Sequence, residues 1–332
     1  MTSGPATRRT FAAVLSIAVA ILGGCAAAHR SGGEALPAAG DPLPAWSDTA
    51  VKRVILDYVA EVTRRGGSSY IPPEHRVATF DFDGTIGCEK PDYMEVMVAV
   101  NRLCELTESE PSLLDEELYR TACDGDLGYI DDNVEQALLK AFLGEAQSFY
   151  VDYVEEFIHS HRHPRFDRPY ARLYYLPMRQ LIDFLSANGF AVYVVSGSQQ
   201  GFTRGYGTDV LGIAAPRLIG HTVALDYSLD DGESSLLRQD SFRPPTPGGS
   251  GKAEIIRNRI GQQPVFAFGN SMGDLEMLQY ATSSRYPSLG LILVHDDPEE
   301  YVYSDRELIQ NAEQHGWQVV SMKQSFEVIF PQ

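Results

Sequence analysis

The sequence predicts an α/β fold in which a parallel sheet, flanked by helices, is interrupted by a wholly helical insertion. Three observations carry that prediction. Helical periodicities alternate with short apolar runs near residues 47–90 and again through 170–332, the repeating unit of a parallel sheet. From Pro91 to Arg168 the pattern is helical with polar breaks and hardly any strand signal. Acids, hydroxyls and a lysine fall just after the apolar runs, where ligands collect in open α/β sheets.

The elements follow in order. Arg8 and Arg9 precede an apolar run from Phe11 to Leu22, too short for an ordinary spanning helix and typical of a secretory signal. The run ends in Leu22-Gly-Gly-Cys25, which resembles a bacterial lipobox. That resemblance implies a signal peptide over 1–24, lipidation of Cys25, and an exported protein anchored to the cell membrane or outer membrane through acyl chains. An uncleaved signal anchor is the alternative. Ala26 to Pro44 is rich in Ala, Gly and Pro, so a flexible tether is expected over 25–46.

A helix capped by Ser47 or Asp48 should follow, with Val51, Val54, Ile55, Tyr58 and Val62 on one buried face. The first strand runs through Val77-Ala-Thr-Phe80, and an α-helical cap over 91–169 is expected to interrupt the core of 47–90 and 170–332. Met178, Leu181, Ile182 and Leu185 form an amphipathic helix stopped by Asn188-Gly189, and a strand follows at Ala191 to Val195. Arg217 to Phe242 reads as short strands around Asp230-Asp-Gly232, a hairpin signal. Helices at Ala253–Ile260, Asp274–Tyr280 and around Ile309 then alternate with strands at Val265–Phe268, Leu291–Val294 and Trp317–Val320.

Composition narrows the function classes. A net charge of -18 over 332 residues repels nucleic acid and other polyanions, so an anionic substrate must be met by a local exception. With Cys25 lipidated, three cysteines remain in an oxidising compartment, and one disulfide at most can close. Cys104 with Cys123 is the favoured pair, and three buried thiols are the alternative. His159, His161 and His163 alternate as a metal clip would, but their Pro and Arg neighbours fit a solvated loop better.

The chemistry is concentrated at four places: Asp81 and Asp83 in "DFDGT", Ser196-Gly197-Ser198 in "VVSGS", Lys252 in "SGKAE", and Asn270 with Asp274 in "FGNSMGD". One carboxylate can attack phosphorus and a second can move a proton. A hydroxyl with backbone N–H groups can hold phosphate oxygens, and a lysine can neutralise developing charge. Carboxylates facing a phosphate dianion require a cation between them, and Mg²⁺ suits an all-oxygen set.

In that order and context the four motifs resemble those of the haloacid dehalogenase (HAD) superfamily of phosphohydrolases, with a Rossmann-like core. Further stretches, "WSDTAVKRVILDYV", "CEKP", "RHPRFDRPYARLYYLPM" and the tail from "GW" to "IFP", resemble a bacterial branch similar to phosphoserine phosphatases. The resemblance implies Asp81 as nucleophile, Asp83 as general acid and base, Ser196 and the Gly197 amide as phosphate holders, and Lys252 as stabiliser of both nucleophile and phosphate. It implies a Mg²⁺ site from Asp81, Asp83, Asn270 and Asp274, with Asn270 standing where the commoner pattern has Asp. Glu89 resembles an acid that reaches substrate amines, one residue out of register, and an ordinary loop acid is the competing reading. The expected function is Mg²⁺-dependent hydrolysis of a small extracytoplasmic phosphomonoester through an aspartyl-phosphate. A surface lipoprotein using the same fold as a non-catalytic binding module is the alternative, and phosphomutase a third reading.

Overall fold

The computed structural model describes residues 40–332, so the expected signal peptide, Cys25 and most of the expected tether lie outside the described residues. Asp41–Gln332 form one compact unit. Helix α1 (Ala50–Thr63) is capped by Thr49, whose hydroxyl accepts from the Lys52 amide. The cap is thus one residue beyond the expected Ser47 or Asp48, a shift that keeps Val51, Ile55 and Val62 in the core. Leu43, Ala45 and Trp46, expected at the end of the tether, are buried instead, and the Trp46 indole donates to the Pro177 carbonyl at 2.8 Å. Burying an indole with its N–H satisfied outweighs the flexible composition around it.

Strand β1 (Val77–Phe80) is followed by five helices: α2 (Met94–Ser109), α3 (Glu117–Asp124), α4 (Leu127–Asp132), α5 (Val134–Lys140) and α6 (Gln147–Ser160). A disulfide between Cys104 and Cys123 ties α2 to α3, while Cys88 is a free, buried thiol. His163 is buried with its Nε2 2.9 Å from the Lys90 carbonyl, so that end of the histidine run is not the solvated loop expected.

The chain then runs through α7 (Leu176–Ala187), β2 (Ala191–Gln199), α8 (Gln200–Asp209), β3 (Leu218–Asp230) and β4 (Glu233–Arg243). The last two form a hairpin of 13 and 11 residues, not the short strands expected. Much of the arm is exposed, its apolar Tyr227, Leu229 and Leu236 included, so no buried apolar run marks the strand length. There follow α9 (Ser250–Ile260), β5 (Phe266–Gly269), α10 (Leu275–Thr282), β6 (Leu289–Asp296), β7 (Val302–Tyr303), α11 (Arg306–His315), β8 (Gln318–Ser321) and α12 (Met322–Ser325).

The strands make one eight-stranded sheet, ordered β4-β3-β2-β1-β5-β6-β7 with β8 also on β6. Pairing is parallel except at β3/β4 and β6/β7. Alternation along the strands fills both faces. Phe266, Phe268, Leu291 and Leu293 pack in one apolar cluster with α1 and α7, while Ala267 and Ile292 pack in the other with α9, α10 and α11. β1 lies between β2 and β5, so the residues leaving these three strands converge at one edge.

Candidate active site

Asp81 follows β1 directly, and its amide donates to the Phe268 carbonyl of β5 at 3.0 Å, which fixes where its carboxylate emerges. The Lys252 ammonium, on the first turn of α9, donates to Asp81 Oδ1 at 2.5 Å and to Asp274 Oδ1 at 2.6 Å. All three residues are buried. A lysine at a helix N-terminus opposes the helix dipole, and these two carboxylates are the local compensation. Asp274 is further held by the backbone amides of Asn270 and Ser271, which donate to Oδ2 at 2.9 and 3.1 Å.

Asp83 sits against the end of β2. The hydroxyls of Ser196 and Ser198 donate to its Oδ2 at 3.1 and 2.8 Å, and the Ser198 amide donates to Ser196 Oγ at 3.0 Å. Directly after Asp83, Gly84 takes a positive φ of 69°. A Cβ there would lie 2.1 Å from Asn270 Nδ2 and 2.7 Å from Glu89, so only glycine admits the close approach of those side chains. His295 supports the same turn, its Nε2 2.7 Å from the Gly84 carbonyl and its Nδ1 3.0 Å from buried Glu300. Asn270 accepts from the Thr85 hydroxyl at 3.1 Å and donates to Glu89 Oε1 at 3.2 Å.

Beside these groups lies a cavity of about 270 Å³, whose wall includes Asp81, Asp83, Glu89, Glu95, Gly197, Ser198 and Lys252. Val96 of α2 and Val134 and Leu138 of α5 close its other side. Glu95 is buried on α2, its carboxylate accepting from the Gln199 amide at 3.0 Å and from the Tyr150 hydroxyl at 2.7 Å.

Electrostatically the site is short of positive charge. Burial, then the neighbouring Asp274 charge, hold the Asp81 carboxyl well above the usual carboxylate range against the pull of Lys252. Burial raises Asp83 to about 6 in spite of the two serine hydroxyls. For Lys252, burial works to lower the pKa, but Asp274 and Asp81 outweigh it and the ammonium is held above its ordinary value. Asp83 Oδ1 is buried with no hydrogen-bond partner.

Of the expected metal ligands, Asp81, Asp274 and Asn270 offer oxygen donors beside this excess of carboxylates, the donor chemistry of a hard dication; here Lys252 and two backbone amides hold the Asp274 oxygens and Thr85 holds that of Asn270. Among the described residues no group of three or more His, Cys, Asp or Glu side chains is arranged to hold a metal.

The structure thus brings together every expected site residue that it describes: Asp81, Asp83, Ser196, Gly197, Lys252, Asn270 and Asp274. It also brings in Glu89, read with equal weight as an ordinary loop acid, Ser198, marked in the sequence as the end of Ser196-Gly-Ser198 but given no role of its own, and Glu95, which the sequence reading did not single out. Glu95 was not legible, because an acid on the first turn of a helix is ordinary.

A family model described as haloacid dehalogenase-like hydrolase matches residues 78–279, which span more than half of the chain and contain all four motifs. The chain belongs to that family. It is a HAD hydrolase, and its solved neighbours include phosphoserine-phosphatase-like proteins. No curated protein matches it. Among solved structures this HAD protein is similar to a conserved, functionally unknown protein from Anaerococcus prevotii DSM 20548. That likeness has a TM-score of 0.53 and 16% identity, covering 82% of this chain and 91% of that one. It is a likeness of fold. Two others are a HAD family hydrolase from Salmonella enterica subsp. enterica serovar Typhi, with a TM-score of 0.39, 14% identity and 77% and 71% coverage, and a phosphoserine phosphohydrolase-like protein from Francisella tularensis subsp. tularensis SCHU S4, with a TM-score of 0.35, 15% identity and 71% and 98% coverage.

Proposed function

We propose that the protein is a phosphomonoester hydrolase in which Asp81 is the nucleophile. The observation that carries this reading is the position of Lys252, 2.5 Å from Asp81 and 2.6 Å from Asp274, in a cavity where Asp83 stands on two serine hydroxyls. An Asp81 oxygen attacks phosphorus and the bond from phosphorus to the ester oxygen breaks. The leaving oxygen takes its electron pair and receives the proton of Asp83. Water then attacks the aspartyl-phosphate, Asp83 recovers a proton from it, and the bond to Asp81 breaks, releasing inorganic phosphate. The raised Asp83 carboxyl is matched to giving and taking a proton near neutral pH. Ser196 and the Gly197 amide hold phosphoryl oxygens, and Lys252 fixes Asp81 and offsets charge on the phosphoryl group.

Mg²⁺, held by Asp81, the Asp83 carbonyl, Asn270 and Asp274, would neutralise the phosphate dianion among these acids. The helices α2–α6 serve as a cap, a reading supported by Val96, Val134 and Leu138 lining the same cavity as the acids. We place the protein outside the cytoplasm, anchored by a lipid on Cys25. The disulfide supports an oxidising compartment. Among the described residues no helix is long and apolar enough to cross a membrane.

The binding-module alternative is not favoured, because the acids, hydroxyls and cation that the chemistry needs are all present, and Asp81, Asp83, Ser198 and Lys252 line one cavity. The test is release of phosphate from an aryl phosphate with Mg²⁺ by the wild type and Asp81→Asn. A wild type without activity would overturn the reading.

A further inference from the structure

The cavity wall is chemically uneven. Asp81, Asp83 and Lys252 surround the position of the phosphoryl group. Elsewhere on the wall, Val96, Val134 and Leu138 present apolar surface, Glu89, held by Asn270 beside Gly84, and Glu95 add two acids, and Tyr93, Ser198 and Ser271 are the neutral hydroxyl residues. Among the described residues Lys252 is the one basic side chain on the cavity wall, and its ammonium is already engaged by two carboxylates.

The cations behind the wall are committed elsewhere. Lys90 Nζ lies over the rings of Tyr303 and Tyr93, 5.3 and 5.7 Å from their centroids. The Arg238 guanidinium donates to Gln199 and Gln147 and stacks over Tyr150 at 4.1 Å. Entering this part of the cavity strips water from a leaving group, and a stripped anion must find a donor or a cation in exchange. Here it would meet aliphatic side chains, two more acids, a few neutral hydroxyls and no free cation.

We propose that the site selects phosphomonoesters whose alcohol portion is apolar and carries no second negative charge, a specificity that rests on the phosphatase reading above. Carboxylated and bisphosphorylated compounds are excluded by the same geometry. Discrimination comes from what the wall lacks as much as from what it offers.

The experiment compares phenyl phosphate with 4-carboxyphenyl phosphate, using the purified protein with Mg²⁺. The carboxylated compound has the slightly better leaving group, so intrinsic reactivity runs against the expected result. kcat/KM should favour phenyl phosphate by about a hundredfold or more. Val134→Arg introduces a cation at an exposed position on the cavity rim, where folding is not at stake, and should narrow that ratio by about tenfold. Equal kcat/KM for the two compounds, or a ratio that Val134→Arg leaves unchanged, overturns the specificity while leaving the phosphatase reading intact. Hydrolysis of neither compound overturns both.

Discussion

Replacing Lys252 by Met keeps an unbranched side chain one atom shorter and removes its charge. The ammonium lies 2.5 Å from Asp81 and 2.6 Å from Asp274, and none of the three side chains is more than 8% exposed. Water therefore cannot take its place cheaply. Removing one partner of a buried ion pair costs about 3–5 kcal/mol, because the remaining charge is left uncompensated. Two acids are stranded here, which argues for the upper half of that range. The loss corresponds to a thermal midpoint lower by roughly 10 °C in a unit of this size.

Activity should fall further, by about a thousandfold or more, since the same ammonium is assigned to the phosphoryl group. Mg²⁺ should raise the midpoint of Lys252→Met more than that of the wild type, because a dication can supply part of the missing charge. The assay is thermal unfolding of both proteins with and without Mg²⁺, alongside aryl phosphate turnover. A midpoint within about 2 °C of wild type would refute the reasoning, since Lys252 would then not be the counter-charge that holds the site together.

Three other outcomes are expected. Gly84→Ala forces a Cβ onto Asn270 and Glu89 at a positive φ, so it should cost about 2 kcal/mol or more and abolish turnover; wild-type stability in urea would contradict the packing described. Glu95, raised to about 7 mainly by burial, binds its proton more tightly when folded, so its contribution to stability falls as pH rises from about 4.5 and is fully lost above about 7. Glu95→Gln should therefore gain relative to wild type by about 3 kcal/mol between pH 5 and pH 8, and parallel urea midpoints across that range would contradict it. Asn270→Asp adds a carboxylate beside Asp274 and should tighten Mg²⁺ binding measured by calorimetry; unchanged affinity would remove Asn270 from the metal set.

The sequence was most informative where one residue's environment is set by its neighbours in the chain. Val77–Phe80, three apolar residues with the β-branched Thr79 among them, is found as β1 with those bounds. Asn188-Gly189 stops α7 where expected because glycine reaches the positive φ that ends a helix, here 77°. The convergence of the four motifs was legible for the same reason, since each follows or opens an element whose end could be placed.

What escaped depends on distant partners. Glu95 is an ordinary first-turn acid until β2 places the Gln199 amide against it. His163 looked solvated until the Lys90 carbonyl satisfied it. Trp46 belongs to the core only because Pro177, far along the chain, accepts its N–H. The hairpin of β3 and β4 is held by its ladder rather than by an apolar face, so its length could not be read from hydrophobicity.

The account stands or falls on Asp81 carrying the phosphoryl group. The protein should be mixed with an aryl phosphate and Mg²⁺, quenched in acid during turnover, and digested for mass spectrometry. The account predicts one phosphoryl group on the peptide containing Asp81, bound as an acyl phosphate that hydroxylamine removes, and none in Asp81→Asn. Steady release of phosphate with that peptide unmodified, or full turnover by Asp81→Asn, would contradict it.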